Sequence, residues 1–196
     1  MNYISETDIR NIVQKALAQA VPPASPAPAS AVPATAENPC GTGKKRTIAV
    51  GSDHGGYELK TIVIAYLQEL GHTVIDCGTT GKEAVDYPDF ALAVAEKIRS
   101  HEACRGIVID AAGIGSCMAA NKVPGVRAAM CVDYATASNS REHNNANVLS
   151  LGAGLLGVNQ VKLIIKTFLE TDFGGGRHAR RVDKITDIEK KYMKEG

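Results

Sequence analysis

The chain predicts an α/β domain in which a mainly parallel sheet of five strands is covered by helices on both faces. From residue 45 onward, short apolar segments alternate with amphipathic ones, a pattern typical of repeated strand–helix–strand units. Aromatic residues make up only 5% of the chain, tryptophan is absent and glycine occurs 19 times. This balance favours a fold that binds a nucleotide or sugar phosphate over a base-stacking platform. A length of 196 residues allows one domain with an appendage and excludes two large domains.

The predicted elements follow from local pattern. Apolar runs, the first of which ends in Gly51, predict strands at 47–50, 73–75, 106–109, 126–132 and 148–151. Segments with helical periodicity predict helices at 57–70, 89–99, 135–142 and 160–169, and a short helix that ends near residue 121. Residues 182–194 are charged with isoleucines on one side, which predicts a final surface helix.

Charge and cysteine usage exclude several classes of protein. The 22 basic and 21 acidic residues leave a net charge of +1, so no basic excess is available for nucleic acid or an anionic membrane. The sequence has no uncharged run of 18 apolar residues that could span a membrane. Five cysteines without a CxxC pair argue against a disulfide framework and a structural zinc site. We expect a cytoplasmic protein without metal or cofactor.

The N-terminal region divides into a helix and a linker. Residues 1–20 predict an amphipathic helix, because Ser5 and Asp8 approximate a capping box and apolar residues form a stripe behind them. The stripe consists of Ile9, Ile12, Val13, Ala16, Leu17 and Ala20. Residues 21–45 predict an extended linker, since six of the eight prolines lie there among alanine and serine. We therefore expect the domain to occupy residues 46–196.

Four polar segments are candidates for a ligand site. They are 52–56 (SDHGG), 110–116 (DAAGIGS), 141–145 (REHNN) and 174–181 (GGGRHARR). Ligands of parallel sheets bind at the carboxyl ends of the strands, so we expect the four segments to converge there.

Each segment also has a structural interpretation. Asp53 is suited to cap a helix, and His54 to be an ordinary loop histidine. Asp110 at the tip of a buried strand is expected to be partly desolvated and poised as a base, or else to cap the next turn. Cys117 is interpreted as a small core residue because no histidine is adjacent. His143 is interpreted as functional, and the 174–181 arginines as a phosphate site or a solvated basic turn.

Together these motifs resemble a known family. The segments SDHGGYELK, DYPDFA, GIGSCMAANKVPGVRAA, SREHNNANVLSLG and GGRHARRV occur in the order seen in the family of ribose-5-phosphate isomerase B and galactose-6-phosphate isomerase subunits, over residues 46–194. The resemblance implies a Rossmann-like α/β/α sandwich and metal-free aldose–ketose isomerisation of sugar phosphates. It also implies a homodimer or homotetramer whose active sites are shared between two subunits.

The resemblance also implies roles for individual residues. His143 would open the sugar ring, Tyr87 would form a pocket wall, and Arg177 with Arg181 would clamp the phosphate. Asp53, His54 and Asn144 would bind the substrate. The enediolate would be stabilised by backbone amides of the loop that contains Ala111, Ala112, Gly113, Ile114, Gly115 and Ser116.

Three departures from the family pattern concern the pocket. Asp110 stands where pentose isomerases commonly have a cysteine base, and Ala112 where they have threonine or serine. Some members without the cysteine carry a glutamate where this chain has Ser116. Asp110 in this setting resembles the A-type subunit of galactose-6-phosphate isomerase, and a carboxylate can shuttle the proton of an enediol. Gly154 replaces a phosphate-binding arginine.

The sequence therefore predicts an isomerase of ribose 5-phosphate and ribulose 5-phosphate, with Asp110 and His143 as catalytic residues. The alternatives are an isomerase of a tetrose or hexose phosphate, and a catalytically weak paralogue that serves as a binding or assembly subunit. Residues 1–20 resemble the encapsulation peptides that carry enzymes into bacterial microcompartments, with a shell protein as partner. A self-association helix and a disordered leader are the alternatives for this segment.

Overall fold

A computed structural model describes residues 45–192. The predicted helix 1–20, and the predicted linker except its last residue, lie outside this range. The five strands are β1 (Thr47–Ser52), β2 (Thr73–Asp76), β3 (Arg105–Asp110), β4 (Ala128–Met130) and β5 (Val148–Gly152). The helices of the described part are α1 (Tyr57–Glu69), α2 (Tyr87–Arg99), α3 (Ile114–Ala120), α4 (Tyr134–Glu142), α5 (Val158–Glu170) and α6 (Arg177–Tyr192). None of these helices is long and apolar enough to cross a membrane.

The sheet has the strand order β2-β1-β3-β5-β4, and each of its four pairings is parallel. The predicted five-stranded α/β sandwich is therefore confirmed, and the sheet is wholly parallel. Ser52 at the end of β1 pairs with Ile109, and Asp110 at the end of β3 pairs with Gly152 at the end of β5. The last residues of the three central strands consequently lie side by side at one edge of the sheet.

Two apolar cores cover the two faces of the sheet. Successive strand residues point to opposite faces, so Ile107 belongs to one core and Val108 to the other. The first core is closed by α1, α4 and α5, with Phe168 of α5 fully buried. The second core is closed by α2 and α3. Burial on both faces explains why the central strands are continuous apolar runs.

Several element boundaries differ from the prediction by one or more residues. Helix α2 begins at Tyr87, two residues earlier than expected, because Pro88 fits the first helical turn, where its missing N–H is not needed. Strand β4, the outermost strand next to β5, is limited to Ala128–Met130 and is shorter than the predicted 126–132. Helix α6 begins at Arg177, five residues before the predicted start at residue 182, so the basic segment 177–181 is helical and is not the solvated turn that was one of its two interpretations. Gly175 and Gly176 adopt positive φ values of 57° and 51°, which allows the sharp turn before α6.

Candidate active site

The loop after β1 brings Asp53 and His54 to the carboxyl edge of the sheet. The buried Asp53 accepts a hydrogen bond from the Gly56 amide at 3.0 Å, so its carboxylate closes the turn that starts α1. His54 is exposed, and its Nδ1 lies 3.2 Å from both the backbone nitrogen and the carbonyl oxygen of Val85. The contact with the backbone of Val85 fixes the orientation of the His54 ring and leaves Nε2 on the side of the ring away from Val85. A Cβ atom on Gly55 would lie 3.4 Å from the Ala111 nitrogen, so this loop packs against the loop after β3.

The carboxylate of Asp110 is enclosed by backbone amides of its own loop. Oδ1 accepts hydrogen bonds from Ala112 at 2.8 Å and from Gly113, and Oδ2 accepts one from Ser116 at 2.9 Å. The residue is only 5% exposed. Burial acts to raise the pKa of this carboxyl group, but the hydrogen bonds from Ser116, Gly113 and Ala112 outweigh burial and lower the pKa below its usual range.

This arrangement corrects one expectation. Desolvation was expected to poise Asp110 as a base, yet the amides hold the group in its ionised form. Oδ1 accepts two backbone hydrogen bonds and Oδ2 accepts one, and the Ser116 side chain also hydrogen-bonds to this carboxylate. Among the six residues 111–116 that were expected to stabilise an enediolate, Ala112, Gly113 and Ser116 already donate to Asp110.

Close backbone packing fixes the loop after β3. Gly113 has a φ of 78°, and a Cβ atom there would lie 2.9 Å from the Gly152 nitrogen. The Ser150 hydroxyl donates a hydrogen bond of 2.6 Å to the Gly113 carbonyl. The ring of Tyr87 lies over Gly115, whose Cβ atom would come within 2.5 Å of the ring. Tyr87 therefore forms a wall beside this loop, and we call Asp53, His54, Tyr87 and residues 110–116 the carboxyl-edge cluster.

His143 and Asn144 follow helix α4, which runs from the carboxyl edge of the sheet to the opposite edge. Nδ1 of His143 lies 2.8 Å from the Asn139 amide, and Asn144 donates to the side-chain oxygen of Asn139 at 3.2 Å. The His143 ring stacks on His178, with the ring centroids 4.1 Å apart and the planes inclined by 6°.

Arg177 and Arg181 lie in the first two turns of α6, on the same face because they are four residues apart. Both are exposed, and neither forms an ion pair within residues 45–192. The Gly174 amide donates to the Glu142 carbonyl at 2.9 Å, which joins the start of α6 to the end of α4. We call His143, Asn144, Arg177, His178 and Arg181 the amino-edge cluster.

The two clusters lie at opposite edges of the sheet. Val148, just after the His143 loop, pairs with Gly106 at the start of β3, whereas Asp110 stands four residues further along β3, or about 13 Å. The expectation that all four polar segments converge at the carboxyl ends of the strands is therefore wrong for 141–145 and 174–181. Parallel strands that are joined by helices bring alternate connections to alternate edges of the sheet.

A cleft with a volume of about 470 Å³ opens between strand β4 and helix α4. It reaches Asn139 and Asn144 of the amino-edge region but does not include Asp110. This cleft therefore adjoins the amino-edge cluster and contains no residue of the carboxyl-edge cluster.

Sequence reasoning missed the importance of two residues near His143. The guanidinium of Arg141, only 2% exposed, donates to the Ala146 carbonyl, to Asn145 at 3.0 Å and to the Thr171 carbonyl at 3.3 Å. Burial lowers the pKa of Arg141 to about 9. The second residue is His178, which lies beneath His143. The sequence gives no local signal for either contact, because both depend on the packing of α4 against the chain after α5.

Cys117 is a residue of α3, and its thiol faces the start of β4. Its thiol donates to the Ala128 carbonyl at 3.4 Å, and burial raises its pKa. A protonated, packed thiol agrees with its interpretation as a core residue.

Comparison with known proteins identifies the family. Residues 48–185 match the model of the ribose/galactose isomerase family. A putative sugar phosphate isomerase of Rickettsia bellii is 47% identical over 72% of this chain and 99% of its own length. Ribose-5-phosphate isomerase B of Escherichia coli is 42% identical over 74% of this chain and 98% of its own length.

Solved structures agree with this assignment. Ribose-5-phosphate isomerase B of Clostridium thermocellum is 54% identical, with a TM-score of 0.74 over 74% of this chain and 99% of that one. The Mycoplasma genitalium ribose-5-phosphate isomerase B with bound ribulose-5-phosphate is 43% identical, with a TM-score of 0.71 over 74% of this chain and 96% of that one. From its sequence and its fold, the chain belongs to the ribose/galactose isomerase family.

Proposed function

We propose that the chain is an aldose–ketose isomerase that interconverts ribose 5-phosphate and ribulose 5-phosphate. The observation that carries this proposal is the Mycoplasma genitalium relative, which is 43% identical over nearly its whole length and binds ribulose-5-phosphate. The charges of this chain support the same substrate class. Arg177 and Arg181 present two guanidinium groups that are suited to a phosphate, and Asp110 presents a carboxylate that is suited to proton transfer.

The proposed reaction begins when His143 assists opening of the sugar ring. Oδ2 of Asp110 then takes the proton from C2, and the electron pair moves through C1 to its oxygen, which forms an enediolate. The loop amides of Ile114 and Gly115, which do not donate to Asp110, stabilise the negative oxygen. Asp110 returns the proton to C1 while a hydroxyl proton moves from O2 to O1, which completes the ketose.

Two copies of the chain are proposed to share each active site. Asp110 and the arginines Arg177 and Arg181 lie at opposite edges of one sheet. A single copy therefore has the proton-transfer group at one edge and the phosphate-binding groups at the other, and neither edge has both. A second copy in the opposite orientation would bring its amino-edge cluster to the carboxyl-edge cluster of the first. The smallest assembly that satisfies both edges is a homodimer, and a homotetramer would contain two such pairs.

A second function is favoured by the hydrogen bonds of Asp110. Its carboxylate engages the amides of Ala112, Gly113 and Ser116, which would otherwise be available to an enediolate. A chain whose donors are occupied in this way is suited to bind a phosphosugar, or complete a partner's site, with little turnover of its own.

The purified full-length chain, assayed alone, distinguishes these functions. We expect turnover of ribose 5-phosphate and none of tetrose or hexose phosphates. Turnover of one of the latter instead would identify the substrate as a tetrose or hexose phosphate. Calorimetric binding of ribulose 5-phosphate without any turnover would favour the binding subunit.

We propose further that residues 1–20 dock onto a shell protein of a bacterial microcompartment, so that the cytoplasmic enzyme is enclosed there. Burying Ile9, Ile12, Val13 and Leu17 would remove roughly 300 Å² of apolar surface, which contributes about 7 kcal/mol before the cost of ordering. Such a contribution is consistent with a weak, reversible complex between a helix and a groove.

A further inference from the structure

The two histidines of the amino-edge cluster differ in their surroundings. His178, in the first turn of α6, is only 9% exposed, and its Nδ1 is buried without a hydrogen-bond partner in the described residues. His143 keeps 37% of its side chain accessible and turns one face to solvent. Its other face is covered by the parallel ring of His178 at a centroid distance of 4.1 Å.

We propose that His178 is a positioning residue that holds the imidazole of His143 in one plane, so that the edge of that ring faces the sugar. This inference rests on the proposed isomerase function, in which His143 opens the ring. Two contacts restrict the His143 ring: the Asn139 amide, 2.8 Å from Nδ1, sets its rotation, and the His178 ring sets its tilt. Nε2 of His143 is then the nitrogen that neither contact restrains, and it lies 3.9 Å from Oε1 of Glu142.

The neighbours of His178 keep it neutral. Nε2 of His178 accepts a hydrogen bond of 3.4 Å from Nε of Arg177, which a protonated ring could not accept. The titratable groups that face the ring are His143 and Glu142 at the end of α4, and Arg177 and Arg181 on α6. Burial, followed by His143, Arg177 and Arg181, lowers the pKa of His178, whereas Glu142 acts to raise it. The neutral, buried ring of His178 therefore supports one face of the His143 ring and does not compete with His143 for a proton.

A matched pair of variants tests the proposal. His178→Leu fills the buried volume without a planar face, whereas His178→Phe keeps a planar ring and removes both nitrogens. For isomerisation of ribose 5-phosphate we expect His178→Leu to lower kcat at least tenfold with KM changed less than threefold. His178→Phe should stay within threefold of the wild type. Arg180→Ala, an exposed change on the same helix, should behave as the wild type.

Two kinetic results would overturn the proposal. An unchanged kcat in His178→Leu would show that the stack does not matter, and a raised KM at constant kcat would make His178 a binding residue. A crystal structure of His178→Leu gives a readout that does not need activity. We expect His143 to occupy more than one ring orientation there and a single one in His178→Phe. If the wild type turns over no phosphosugar, the proposed function fails, and an unaltered His143 ring in His178→Leu would then refute the positioning role.

Discussion

The backbone amide of Ser116 lies 2.9 Å from Oδ2 of Asp110, so the first turn of α3 is tied to the last residue of β3. The same carboxylate accepts amides from Ala112 and Gly113. One side chain thus fixes the shape of the loop and also presents the group that we propose to move the proton. A substitution of Asp110 will therefore affect both the stability and the chemistry.

We expect Asp110→Asn to lower kcat at least a hundredfold, because a neutral amide cannot accept the proton. The variant should fold and bind ribulose 5-phosphate. Its NH₂ group is a donor that faces the backbone N–H donors of the loop, so a hydrogen bond is lost and the free energy of unfolding should fall by about 1–3 kcal/mol. Steady-state kinetics, calorimetry and urea unfolding measure the three quantities.

Cys117→Ala is the matched control for the assignment of the base. Its thiol contacts Ala128 and Asn121 and lies in the packing between α3 and β4, so kcat should remain within about threefold of the wild type. Near wild-type turnover in Asp110→Asn combined with loss in Cys117→Ala would show that Asp110 is not the base.

Arg177→Ala and Arg181→Ala should each raise KM for the phosphosugar by about tenfold to a hundredfold, with a smaller effect on kcat. Each removes a charge-assisted contact of about 1.5–3 kcal/mol that is made equally in the ground and transition states. Arg180→Ala, exposed on the same helix, should leave KM unchanged. Unaltered KM in both arginine variants would require a phosphate site elsewhere.

Mixed oligomers test whether two copies share a site. Asp110→Asn and His143→Ala chains should each be inactive alone, since each lacks one half of the machinery. Random 1:1 mixing of the two chains makes about half of the dimers heterodimers. If the sites are shared, each heterodimer has one intact site, which combines the wild-type Asp110 of one chain with the wild-type His143 of the other, and one inactive site. The mixture should therefore have about a quarter of the wild-type activity. Activity that stays at the level of the separate variants would place each site within a single chain.

The lowered pKa of His178 predicts a pH-dependent stability. The unfolded chain, whose histidines titrate near about 6.5, binds more protons than the folded protein as the pH falls through that value. The contribution of His178 to the free energy of unfolding should therefore be fully present above about pH 6.5 and decline below it. His178→Leu should show a shallower decline between pH 7.5 and 5.5 in urea unfolding. An equal decline in the two proteins would contradict a lowered pKa.

Deletion of residues 1–40 should leave turnover and oligomer size unchanged and abolish co-purification with shell proteins. Ile12→Glu should have the same effect, because it introduces a charge at the centre of the apolar stripe. Dissociation of the truncated enzyme into monomers would instead identify the segment as a self-association helix.

Much of the fold could be predicted because hydrophobic periodicity relates residues that are neighbours in sequence. Residues 47–50 and 148–151 were predicted as strands because they are continuous apolar runs, which burial on both faces of the sheet produces, and the helices were predicted by their apolar stripes. Element ends were less accurate. The last helix was predicted to begin at residue 182, whereas the turn ends at Gly175 and Gly176 and the helix begins at Arg177.

The sequence by itself determined the class of fold, the family and the residue types of the candidate site. Only the tertiary structure decided where those residues lie: Asp110 at one edge of the sheet, and His143 at the other. It also decided the direction of the Asp110 pKa shift, since burial and hydrogen bonding act oppositely and their balance depends on how the loop folds around the carboxylate. The stack of His143 on His178 likewise arises from packing between helices that are distant in sequence, which no local pattern encodes.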